Sequence, residues 1–197
     1  MAATLAEAAL AWKICSSYVL VMQATAFDSS APLGARRAIV RRYRDEIELV
    51  ELAWGLRNRD PNERPFRFVR AEGRTFPSHR CLIPASEFHV TTDKKSYRFA
   101  LDDGNWFYLA GIYRPATIDW PESYAVLTID ANPDVARYQE RQGAVLLRRQ
   151  TMDWLDMTIP EDQLLKSLPA RSFDVQEIGG GRKTSGPVKP GQRMLGL

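Results

Sequence analysis

Residues 70–90, RAEGRTFPSHRCLIPASEFHV, hold the densest set of groups able to do chemistry. Arg70, Glu72, Arg74 and Arg80 surround the turn residue Gly73, ahead of a short apolar strand at 81–83. Arg70 and Glu72 stand two apart, so on a strand they share a face. There they bond each other, or the arginine grips a phosphate. The segment reads as a basic groove element beside a buried strand. Beyond it the chain has two cysteines, Cys15 and Cys81, and two histidines, His79 and His89. So few ligands, with no C-x-x-C, argue against a structural zinc site and against a disulfide framework. No metal and no cofactor are expected, and the cysteine usage suits a reducing, cytoplasmic compartment. Cys81 inside its apolar strand and Cys15 at helical spacing from Leu5, Ala8 and Trp12 both read as packed thiols. His79 and His89 read as strand-edge or surface imidazoles.

The elements that must position these groups are mostly strands. Residues 37–42 and 47–54 alternate apolar and polar positions, as half-buried strands do. Residues 66–70, 80–84, 96–101, 105–113 and 123–130 also read as strands, and the aromatic run from Trp106 to Tyr113 marks the central sheet. Helices are expected at 3–23, at 151–157 with Thr151 as N-cap, and at 160–167 opened by Pro160-Glu161-Asp162. A last strand is expected at 173–178. The three parts are an N-terminal helix and loop over 1–35, a domain over 36–178, and a disordered basic tail over 179–197. Residues 14–26 mimic a signal-peptide core, but no basic n-region precedes them and Glu7 does. No apolar run is long enough to span a membrane. The class is α+β and β-rich, one domain of ordinary size in 197 residues.

Charge is unevenly spread. The whole chain carries +3, but residues 36–98 carry +6, residues 99–178 carry −6, and the tail 179–197 carries +4. Arg36, Arg37, Arg41, Arg42 and Arg44 fall within nine residues. Such a stripe is either a solvated strand edge or a phosphate-contacting surface.

RAEGRTFPSHRCLIPASEF resembles the RSEGR…RCLIPASGF signature of the SOS response-associated peptidase (SRAP) family. Other strings follow in order: Trp54-Gly55-Leu56, WFYLAGIYRP at 106–115, YAVLTIDANPDVARYQERQGAVLL at 124–147, and Trp154-Leu155-Asp156. The resemblance spans roughly residues 36–170. It implies a barrel-like sheet core with a few flanking helices. It also implies a role in the DNA-damage response, through binding of single-stranded DNA and covalent capture of abasic sites. Family members use a cysteine exposed as the mature N-terminus. Its amine and thiol close on the abasic aldehyde as a thiazolidine, and an Asn, a Glu and a His position the sugar and move protons. In some members the same cysteine removes a leader.

This sequence departs from the pattern at the catalytic positions. Ala2 follows Met1 where the family has Cys; the alternative register places Cys15 there and makes 1–14 a leader. Phe68 takes the Asn position, Val90 the Glu position and Gln139 the His position. On an ideal strand His89 and Glu87 face away from Val90, so either needs a bulge to replace it. The retained positions are Trp54, Arg70, Glu72 and Arg141. The resemblance therefore implies a DNA-binding, catalytically impaired member, expected to be monomeric. Its DNA side would use Arg41, Arg42, Arg70, Arg74 and Arg141 on phosphates, with Trp54 or Phe68 stacking on a base. An Ala2 α-amine would still form a reversible imine with an abasic aldehyde. The alternatives are an active crosslinker or autopeptidase using Cys15, and a degenerate copy or protein-interaction domain.

Overall fold

The alternation in RRAIVRRY and EIELVELAW builds the first hairpin, in which β1 (Arg36–Tyr43) pairs antiparallel with β2 (Glu46–Trp54). The computed structural model describes residues 24–60 and 62–179. The helix expected at 3–23 and, apart from Gly179, the tail expected at 179–197 lie outside the described residues. The further strands are β3 (Phe68–Arg70), β4 (Arg80–Ala85), β5 (Glu87–Thr92), β6 (Lys95–Leu101), β7 (Phe107–Arg114), β8 (Ser123–Asp130), β9 (Arg141–Gly143), β10 (Val145–Leu146) and β11 (Phe173–Glu177). Two short helices are α1 (Thr151–Leu155) and α2 (Glu161–Leu164).

Hydrogen bonding runs from β7 to β4, β1, β2 and β8, and from β8 back to β7, so the main sheet closes into a ring. The barrel-like, β-rich α+β expectation holds in this form. β5, β6 and β11 make a second, antiparallel sheet. β4 is covered on both faces, Cys81, Ile83 and Ala85 packing in one cluster and Leu82 in the other, which is why RCLIPA is buried throughout without alternation. Ile39, Leu52 and Ile83 share a cluster with Phe88, Phe99 and Phe173 of the second sheet. Val40, Leu82 and Leu127 share another with Trp154, Leu155 and Leu164 of the helices.

Several of the strings singled out in the sequence are packing devices. Trp154 is fully buried and donates its indole N–H to the Cys81 carbonyl at 3.0 Å. Arg80 lies 4.3 Å above that indole. It donates to the carbonyls of Phe76 (2.7 Å) and Trp154 (3.1 Å) and to Glu161 (2.6 Å). Cys81 is a packed thiol, as expected, and burial pushes its pKa far up. Gly111, paired with Cys81 across β4 and β7, has no room for a side chain: a Cβ there would sit 2.4 Å from Ile83 Cδ1. Gly55 takes a φ of 104°, and a Cβ there would sit 2.5 Å from Leu33.

Residues 24–35 pack onto the ring rather than standing apart. Arg37 donates to the carbonyls of Thr25, Ala26 and Pro84, and Phe27 is buried against Trp54. Three strands were not expected. β9 and β10 are too short to show a period. β5 turns into β6 through Asp93 and Lys94, which adopt φ of 49° and 65° without the glycine that marks such turns. Thr151 is the first helical residue and not the N-cap; its hydroxyl donates to the Arg148 carbonyl at 2.8 Å. α2 is opened by Pro160 as expected but stops at Leu164. Among the described residues no helix is long and apolar enough to cross a membrane.

Candidate functional site

β8 changes partners halfway along. Its first residues pair with β2 and β7, and its last residues pair with β3 on one edge and β9 on the other. The exchange sets Phe68 and Arg70 on one side of Val126–Thr128, and Arg141 and Gly143 on the other. Arg141 then reaches across. Its guanidinium donates to Glu72 Oε2 (2.7 Å), the Thr128 carbonyl (2.6 Å), Asp130 Oδ1 (2.9 Å) and Thr128 Oγ1 (3.2 Å). Glu72 Oε1 accepts the Asp130 amide at 3.0 Å, and Arg70 Nε lies 3.3 Å from Glu72 Oε2. Partial burial opposes the charge on Glu72, but the Arg141 bond and the backbone amides outweigh it and hold the pKa down at about 2. Glu72 is thus a fixed anion that braces two arginines, not a base poised near neutrality.

Beside this brace lies a cavity of about 340 Å³. Phe27, Phe68, Phe88 and Leu109 give it apolar walls, while Ser29, His89, Thr128, Gln139, Arg141 and Gln142 give it polar ones. Gln139 comes from a turn pinned by the buried Asn132, whose Oδ1 accepts the Val135 amide at 3.0 Å. His89 Nε2 lies 2.8 Å from Glu87 Oε1, on the same face of β5. Glu87 is in turn bonded by Arg98. Although burial opposes it, that guanidinium, with His89, lowers the Glu87 pKa. The pair gives His89 a fixed carboxylate acceptor, an arrangement that orients an imidazole.

The residues singled out in the sequence separate into three groups. Phe68, Gln139 and Arg141 meet at the cavity, with Arg70 and Glu72 bonded to one another next to Arg141. Phe68 is 39% exposed and Arg74 is exposed with no ion pair among the described residues. Val90, by contrast, is buried in the core, and the cavity wall on β5 is made by Phe88 and His89. His89 reaches the cavity without a bulge, since the β5–β6 register runs unbroken from Glu87 to Thr92, and its neighbour Phe88 borders the cavity too. Ala2 and Cys15 lie outside the described residues.

Three residues assigned to the DNA side are placed against that assignment. Trp54 is 2% exposed, enclosed by Phe27, Phe68 and Tyr124, so its face is closed to a base. Arg41 is 7% exposed, is ion-paired with Glu48 and Glu122, and lies over the Tyr113 ring. Arg42 is half-buried and bonds Asp156 at 2.6 Å. The +6 block is largely cancelled in this way: Arg57 pairs with Asp119, Arg80 with Glu161 and Arg98 with Asp174, all acids of the −6 block.

Gln142, Phe27, Ser29 and Thr128 are cavity residues that reading the sequence missed. Gln142 left a faint signal, a polar residue between Arg141 and Gly143 at the head of the apolar run AVLL. Phe27 left none, since an aromatic in a loop carries no period.

A family model described as SOS response associated peptidase (SRAP) matches residues 29–180. None of the curated proteins matches the chain. Among solved structures, a protein from Bordetella bronchiseptica is 22% identical with a TM-score of 0.62, the match covering 78% of this chain and 91% of that one. A protein from Bacteroides thetaiotaomicron is 21% identical with a TM-score of 0.56, over 74% of this chain and 75% of that one. At such identities the likeness is one of fold.

Proposed function

Starting from the fact that this chain belongs to the SOS response-associated peptidase family, we propose that it binds single-stranded DNA at the Arg70–Arg74–Arg141 rim without the family's covalent capture of abasic sites. One observation carries the reading. The positions matched to the family's Asn and His, Phe68 and Gln139, border a single cavity beside Arg141, and neither supplies a titrating group. Phenylalanine has no polar atom, and a glutamine amide does not exchange protons near neutrality. The phosphate-compatible arginines survive while the sugar-handling groups are replaced. Binding requires only the former.

Salt titration tests this. Two phosphate contacts to a single strand, from Arg70 and Arg74, give a slope of log affinity against log salt of roughly −1.4, since Arg141 is engaged by Glu72 and Asp130. Absence of single-strand binding at low salt overturns the reading and favours a degenerate copy or a protein-interaction domain.

The placement of His89 favours a second reading, in which proton transfer is retained. His89 borders the cavity and is held by Glu87, so it can take the part of a displaced acid–base group. The nucleophile would be the Ala2 amine, or Cys15 after removal of residues 1–14. Incubation with abasic single-stranded DNA and a denaturing gel separates the cases. A covalent band stable without borohydride supports the thiol. A band seen only with borohydride supports the amine, and no band under either condition leaves binding alone.

A further inference from the structure

One arginine of the basic stretch is held at the cavity mouth by neutral groups alone. Arg41, Arg42, Arg57, Arg70 and Arg80 each bond a carboxylate. Arg67 does not. Its Nη1 donates to the carbonyls of Ala31 at 3.1 Å and Ser29 at 3.4 Å, and among the described residues no carboxylate pairs with it. Arg67 is partly exposed and immediately precedes β3, which carries Phe68 and Arg70. Ser29 borders the cavity, so this guanidinium stands at its edge. A phosphate oxygen outcompetes a neutral carbonyl for a guanidinium, because charge-assisted bonds are shorter and about twice as strong.

Both carbonyls belong to residues 28–32, a segment fastened firmly at its ends and loosely between them. At one end Arg37 donates to the carbonyls of Thr25 (2.8 Å) and Ala26 (2.9 Å), and the Phe27 amide bonds the Glu87 carbonyl at 2.7 Å. At the other end the Gly34 amide bonds the Trp54 carbonyl and the Trp54 amide bonds the Ala35 carbonyl, each at 2.8 Å. Among the described residues, 28–32 are tied across to the body by Arg67 and by one long bond, from the Ser29 hydroxyl to the His89 carbonyl at 3.4 Å. The Ala31 methyl supplies its apolar contact with the core. Asp28 accepts the Ser30 hydroxyl at 2.7 Å and the Ser30 amide at 2.8 Å, which close a small turn. The same two bonds hold the Asp28 pKa below its ordinary value, so the turn carries a fixed negative charge. A phosphate arriving at Arg67 attracts the guanidinium and repels Asp28, and both forces lift the segment.

We propose that Arg67 is a further phosphate ligand and the latch of this segment: a phosphate of the bound strand takes its guanidinium from the Ser29 and Ala31 carbonyls, and residues 28–32 swing off the cavity mouth. The inference rests on the single-stranded DNA reading and deepens it, adding a contact that forms only as the segment leaves. Arg37 keeps its hold on Thr25 and Ala26, and Phe27 stays against Trp54, so the motion is a short hinge and not an unfolding of residues 24–35. Ser29 leaves the wall and the cavity opens toward the strand.

The test uses the full chain and octathymidylate with a fluorescent end label, anisotropy being read over a range of salt. Arg70 and Arg74 alone give a slope of roughly −1.4, and Arg67 as a third contact steepens it to roughly −2.1. Arg67→Ala should return the slope to roughly −1.4. Arg67→Gln keeps much of the side chain's packing and should do the same, which preserves the test if the alanine variant folds poorly. The segment is followed by a nitroxide attached through Ser30→Cys in a Cys15→Ser background, Cys81 being buried. Its electron paramagnetic resonance lines should sharpen when octathymidylate is added, the opposite of the slowing caused by a strand lying over a fixed segment. With Arg67→Ala the lines should be sharp from the outset and unchanged by DNA. A parent slope near −1.4 that both Arg67 variants leave unchanged overturns the contact and leaves the DNA reading standing. A label that slows or does not respond on binding overturns the latch in the same way. Failure of the parent chain to bind octathymidylate overturns both readings.

Discussion

Two sets of arginines from one basic stretch of sequence meet opposite fates. Arg41, Arg42, Arg80 and Arg98 are spent inside the fold, each against a carboxylate from the acidic half of the chain. Arg70 and Arg74 are exposed at the rim, where the nearby carboxylate Glu72 is already engaged by Arg141. The difference lies in geometry, not composition. β1 and β4 are bonded on both edges within the ring, so their buried cations, Arg41 and Arg80, must be neutralised locally or lose hydration without return. β3 is a three-residue strand at the sheet's end, where water does that work. A count of charges along the chain cannot separate the two sets.

The contrast can be broken most forcefully at Arg80. Its side chain is 5% exposed and bonds two carbonyls and Glu161. Arg80→Ala leaves that carboxylate facing an empty site, and unfolding in urea should show a loss of about 3–5 kcal/mol. The rim should behave in the opposite way. The double variant Arg70→Ala, Arg74→Ala should hold its stability within about 0.5 kcal/mol of the parent. Its single-strand affinity should fall about tenfold, and its salt slope should shrink by roughly 0.7 per lost contact. If instead the rim variant unfolds and Arg80→Ala does not, the division between the two sets is wrong.

Acid titration sharpens the comparison at Glu72. Its pKa is lowered from 4.5 to about 2, so its contribution is complete above pH 4.5 and disappears as pH falls toward 2. Glu72 is about a third exposed, so solvent screening limits the effect to about 1 kcal/mol. Glu72→Gln should flatten the stability curve over that window, cost about 1 kcal/mol near neutrality and converge on the parent near pH 2. The smallest effect is expected at the half-exposed pair of Arg42 and Asp156. Asp156→Asn should cost below about 1 kcal/mol in thermal unfolding, the ordinary worth of such a bridge.

Much of the ring was legible in the sequence. The alternation in β1 and β2 and the apolar and aromatic runs of β4, β7 and β8 each place a strand, because two-residue periodicity and burial leave a local trace. β5 was missed although Glu87-Phe88-His89-Val90 alternates, because only two apolar positions precede its turn and that turn lacks glycine. The site was legible only in pieces. Arg70, Glu72, Phe68, Gln139 and Arg141 stand out through the family resemblance, yet so do Trp54 and Val90, which the fold buries.

What the sequence alone determined is the family, the β-rich α+β class and the packed Cys81. These are local or positional facts, carried by residue identity and spacing. The tertiary structure decided which cations remain available and that His89 rather than Val90 borders the cavity. Those depend on the partner exchange along β8 and on contacts between residues 58 to 114 positions apart. A pattern read along the chain has no access to them, because long-range pairing is set by the closure of the sheet and not by any one segment.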